Sequence, residues 1–127
     1  MIFENKFCSI YYLDSLNRYL YIDFVLEKNF TDDCVEDFLK SMEMLFENEQ
    51  VSSINLIFNI KKGCIKIAYR YGTKLNEFFN KYQLKVDETF ILGNKFLKPF
   101  IKMYTNLSKK TIKFVDNVSD IDISNSE

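Results

Sequence analysis

Apolar residues alternate with polar ones in parts of this chain and recur every three to four residues in others, and the change of period divides it into elements. Residues 6–13, KFCSIYYL, are rich in aromatic and β-branched types and predict a strand. Asp14-Ser15-Leu16-Asn17 is a turn cluster. Residues 19–26, YLYIDFVL, predict a second strand, with Leu20, Ile22, Phe24 and Leu26 on one face and Tyr19, Tyr21, Asp23 and Val25 on the other. The short connection makes these two an antiparallel hairpin. Thr31 suits an N-cap, and Asp32, Asp33, Glu36 and Asp37 suit the positive end of a helix dipole. Val35, Phe38, Leu39, Met42, Leu45 and Phe46 then fall at helical spacing, which predicts an amphipathic helix over 32–48.

Residues 53–60, SINLIFNI, are almost continuously apolar and read as a strand covered on both faces. Lys61-Lys62-Gly63 opens a second helix over 63–82, whose stripe is Cys64, Ile67, Ala68, Tyr71, Leu75, Phe78, Phe79 and Tyr82. Gly72 lies inside it at a cost of about 1 kcal/mol relative to Ala. A strand over 86–92, a helix over 98–107 with Pro99 in its first turn, and a strand over 111–115 complete the pattern. The order β-β-α-β-α-β-α-β predicts an α/β fold, a single domain over residues 1–122, with a mixed five-stranded sheet and three helices. Residues 123–127 read as an acidic C-terminal tail.

Composition removes whole classes of chemistry. With 127 residues and 47% hydrophobic content there is material for one packed core. There is no His, so His-dependent triads and His-containing zinc sites are excluded. Cys8, Cys34 and Cys64 form no CxxC pair and no disulfide framework, which predicts thiols in a reducing compartment. Residues 1–6 lack the apolar stretch of a signal peptide, and no run is long enough to span a membrane, so the expected location is the cytoplasm.

The net charge of −1 conceals three blocks. Residues 1–50 hold four Lys/Arg against eleven Asp/Glu, residues 51–115 hold thirteen against three, and residues 116–127 hold four acids and no base. Three places follow as candidates for chemistry or binding. The corner Lys61-Lys62-Gly63-Cys64 joins a buried strand to a helix start, where open α/β sheets bind ligands and where backbone N–H groups attract anions. The basic ladder Lys62, Lys66, Arg70 and Lys74 occupies one face of the second helix. The acids of the first helix, Asp33, Glu36, Asp37, Glu43 and Glu47, could meet that ladder on a second copy, giving a homodimer.

No GxxxxGK[ST] or GxGxxG is present, the adjacent carboxylates Asp32/Asp33 and Asp87/Glu88 do not face one another, and Cys64 has no base, so no catalytic residue, metal site or cofactor is expected. An overall pI near 5.6 and the absence of a groove-reading motif weigh against nucleic acid. A peripheral anionic membrane remains a third-ranked partner for the lysines.

The hairpin KFCSIYYL/YLYIDFVL, the helix from Thr31, the strand SINLIFNI, the helix after Lys62 and the strand VDETFIL resemble the layout of the STAS domains, the family of anti-sigma-factor antagonists and sulfate-transporter tails. The similarity covers about residues 6–122 and implies a non-enzymatic protein-binding switch. In the antagonists a Ser or Thr at the start of the helix after the third strand is phosphorylated. Lys61, Lys62, Gly63 and Cys64 stand there instead, so the resemblance does not carry the phosphoswitch over. The lipid-pocket domains of the CRAL-TRIO type share much of the order, and a small-molecule or lipid carrier is the alternative expectation.

Overall fold

A computed structural model describes residues 2–24, 31–60, 65–93, 112–121 and 123, with residues 65–70 described by their backbone alone. The elements are β1 (Phe3–Glu4), β2 (Cys8–Tyr12), β3 (Tyr19–Phe24), α1 (Asp32–Phe46), β4 (Ile54–Ile60), α2 (Ile65–Lys81), β5 (Val86–Gly93) and β6 (Ile112–Val115). They form an α/β fold with one mixed sheet, in which β1, β2 and β3 are antiparallel and β3 to β6 are parallel. The strands lie in sequence order, β1 to β6. Each crossover therefore advances one position in the same direction, and right-handed crossovers of that kind place successive helices on the same face. Ring contacts agree: Phe7 meets Phe38 of α1 at 5.5 Å and Tyr71 of α2 at 6.4 Å.

Among the described residues the sheet has six strands, where five were expected, and there are two α-helices, where three were expected. The added strand, β1, is two residues long and too short to show a period. A local device makes it. The Asn5 N–H donates to the Cys8 carbonyl at 2.9 Å, and Asn5 Oδ1 accepts from the N–H groups of Phe7 and Cys8 at 2.8 and 3.1 Å. That turn folds Phe3 and Glu4 back onto Ile10 and Ser9. Asn5 Nδ2 also donates to the Cys34 carbonyl at 2.9 Å, tying the turn to the first turn of α1. The helix expected over 98–107 and the corner Lys61–Cys64 lie outside the described residues.

The β2–β3 turn is held by one carboxylate. Asn17 takes a left-handed backbone (φ 55), which Asn tolerates better than most residues. Asp14 accepts from the backbone N–H groups of Arg18 and Tyr19, each at 2.9 Å, and its side chain is only 5% exposed. Asp14→Ala strands two backbone donors, so a urea titration should show a loss of about 2 kcal/mol with the slope unchanged.

Alternation splits the core as the strand pattern predicts. Leu20, Ile22 and Phe24 join Phe38, Met42 and Phe46 between sheet and helices. Tyr21 lies on the opposite face with Ile57, Phe90 and Leu92. There the chain after β6 forms a short 3-10 turn, Val118–Asp120, and lays Ile121 and Ile123 against the sheet. Ile57, fully buried, shows why SINLIFNI is apolar on both faces. Gly72 is buried within an unbroken α2.

Candidate functional site

Helices α1 and α2 run side by side on the sheet, and a column of polar contacts joins them. Tyr71 donates its hydroxyl to Asp32 Oδ1, Lys74 pairs with Glu36, and Tyr82 donates to Glu47 Oε1 at 2.6 Å. The contacts advance in register along both helices, as two parallel crossovers require. The C-terminus of α1 has no basic residue in its last turn. Lys85, in the 3-10 turn after α2, supplies the charge by donating to the carbonyls of Phe46 and Asn48, the latter at 3.4 Å. That satisfies carbonyls a helix end leaves free and complements its dipole. At the other end Thr31 occupies the N-cap position without a side-chain cap bond; its hydroxyl points to Cys34 Sγ at 3.6 Å.

The residues expected to form a partner surface are therefore divided. Glu36 and Lys74, read from sequence as groups that could meet between copies, meet within one chain. Both are about half exposed, so the pair contributes at most about 1 kcal/mol. Asp37 lies exposed on the outward side of α1. Lys66 and Arg70 lie in α2, where only the backbone is described. Lys61, Lys62, Gly63 and Cys64 fall outside the described residues.

What the helix pairing leaves outward is a stripe along α1. Asp33, Asp37, Lys40 and Met44 follow at intervals of four, three and four, so they share one face, whereas Glu43 lies on the flank of Glu36 and Glu47. All four are exposed, and Met44 reaches 77%. The Asp33 and Asp37 carboxylates make no ion pair or hydrogen bond among the described residues. A large apolar side chain on one face with two unpaired acids and a lysine is suited to protein contact rather than to proton transfer.

Two thiols are described, and both are free. Burial, and then the charges of Asp23 and Cys34, push the Cys8 thiol far up, so it is a packing group and not a nucleophile. Among the described residues no three His, Cys, Asp or Glu side chains group to hold a metal ion, and no helix is long and apolar enough to cross a membrane.

Tyr82 is the titratable group most clearly set by the helix pairing. Its hydrogen bond to Glu47, then burial, then the charges of Glu47 and Glu43 push its hydroxyl up to about 12. The folded state thus holds the proton more tightly than the unfolded chain, whose tyrosines titrate at about 10. The stabilisation is intact below about pH 10 and is lost as pH rises through 12. Absorbance at 295 nm should show a late phenolate step that Tyr82→Phe removes.

Lys85, Asn5 and the tyrosine–carboxylate pairs were not singled out by periodicity, because each acts on a residue 29 to 39 positions away. Comparison with family models, with curated proteins and with solved structures finds no match for this chain.

Proposed function

We propose that the chain is a non-enzymatic protein-binding module of STAS-like architecture that docks a basic partner on the outward face of α1. The observation that carries this reading is the division of the α1 acids. Asp32, Glu36 and Glu47 are engaged by α2, whereas Asp33 and Asp37 share the outward face with Lys40 and an exposed Met44 and make no ion pair among the described residues. Acids facing solvent on a rigid helix steer a basic partner by long-range attraction, and an apolar centre supplies desolvated contact once it arrives. The sequential β-α order supports the family resemblance, and Lys61–Cys64 in place of a phosphorylatable Ser or Thr makes this a constitutive surface rather than a phosphoswitch. With one flank of α1 occupied by α2, the partner is a different protein in preference to a second copy.

Site-specific photo-crosslinking tests this. A photoreactive residue at position 44, expressed in the source cells, should give an adduct heavier than twice the chain mass or otherwise distinct from it, and the same probe at Lys113 should not. Adducts of twice the chain mass would replace the basic partner with self-association; no adduct from position 44 would remove the reading.

A further inference from the structure

A second polar feature lies on the sheet face away from the helices, and the partner surface makes no use of it. Ser9 of β2 pairs with Asp23 of β3, and Asp23 with Asn59 of β4, so the three form one cross-strand row. The next row is Tyr11, Tyr21, Ile57 and Phe90. Ser9 is buried, and Asp23 and Asn59 are half-buried. Asn59 Nδ2 donates to the Tyr21 hydroxyl oxygen at 2.7 Å, and the Tyr11 ring lies over Tyr21 at 5.1 Å and 31°.

Three observations single out Asp23. It is the next-to-last residue of β3, as Asn59 is of β4, which places both at the carboxyl ends of parallel strands, where open α/β sheets hold ligands. Its carboxylate makes no ion pair or hydrogen bond among the described residues, although it is partly withdrawn from water. The described ion pairs, Asp14–Arg18, Glu36–Lys74 and Glu88–Lys113, all lie elsewhere. Its charge also reaches the aromatic row: burial first, and then Asp23, push the Tyr11 hydroxyl up, and Asp23 raises Tyr21 as well, behind burial and against the lowering effect of Asn59.

One unpaired carboxylate beside phenol and amide oxygens and an aromatic wall is too poor in anionic ligands for a divalent metal. It matches a group that carries one positive charge, donates several hydrogen bonds and has an apolar body. The same row already accepts such a group from within the chain, since the Lys113 ammonium lies 5.7 Å from the Phe90 ring centre. We infer that Asp23, Asn59 and Tyr11 form a binding site for an organic ammonium ion, with its N–H groups donating to the Asp23 carboxylate and its carbon body against the Tyr11 ring.

The test is titration of the intact chain with n-butylammonium chloride, followed by NMR of tyrosine rings labelled with carbon-13, with n-butanol as the uncharged control. Tyr11 and Tyr21 should shift saturably with the ammonium and not with the alcohol, while Tyr71 and Tyr82, on the helix side, stay still. Asp23→Asn, which keeps shape and loses charge, should weaken binding by about tenfold or more. Tyr11→Leu, which keeps the carboxylate, should also weaken it and serves if the first variant does not fold. Equal shifts with n-butanol, an unchanged affinity in Asp23→Asn, or no saturable shift at Tyr11 would each overturn the inference.

Discussion

Replacing Phe38 by Ala should lower the unfolding free energy by about 3–5 kcal/mol, a large share of the roughly 5–15 kcal/mol that holds a domain of this size together. Phe38 is fully buried where three elements meet the first helix. Its ring lies 5.5 Å from Phe7 in the β1–β2 turn and 6.0 Å from Phe24 of β3, and Phe7 in turn contacts Tyr71 of α2. Removing the ring opens a cavity among aromatic groups whose backbones are fixed by the sheet and by the Asn5 turn, so the gap cannot close. Chemical denaturation should show the lower midpoint with an unchanged slope, and near-ultraviolet circular dichroism should lose intensity, because tyrosine and phenylalanine rings are the chromophores of a chain with no Trp.

Ile57→Ala tests the other side of the sheet and should cost about 2–4 kcal/mol. Ile57 points away from the helices, yet it is fully buried, in a cluster with Tyr21, Phe90 and Leu92 that Ile121 completes. The large cost follows only if the chain after β6 covers this face. Ile121→Ala should then reproduce part of the loss, and the double variant should fall short of the sum of the two, because the side chains share one cluster. Additive losses in thermal or urea melts would show that the tail and β4 do not share a packed layer.

The strand faces were readable because a period of two leaves no choice. In YLYIDF every second residue is an aliphatic or aromatic group of the helix-side core, and Tyr19, Tyr21 and Asp23 must lie behind it. The first helix was readable for the matching reason, at a period near 3.6, from Val35 to Phe46. Sequence could not show where the acids of that helix would go. Asp32, Glu36 and Glu47 resemble Asp33 and Asp37 in type, and only the position of α2 separates those that bond to it from those that face outward. The same limit hid Asp23. As one polar residue in an apolar strand it reads as a solvent-side position, and it gains chemical interest only when Ser9 and Asn59 arrive beside it from neighbouring strands. β1 escaped because two residues carry no period, and its turn depends on a single Asn side chain.

Assigning different tasks to the two flanks of α1 leads to one decisive comparison. With the photoreactive residue at position 44, adduct yield is measured in parallel for an outward reversal, Asp33→Lys with Asp37→Lys, and for an inward reversal, Glu36→Lys. The outward pair should reduce the yield about tenfold or more with only a small fall in melting temperature, since among the described residues neither side chain is bonded and the loss is confined to their favourable place near the positive end of the α1 dipole. The inward reversal, which sets two cations face to face at Lys74, should lower the melting temperature slightly and leave most of the adduct. Equal yields from both reversals, or full yield from the outward pair, would contradict the assignment of that face to a basic partner.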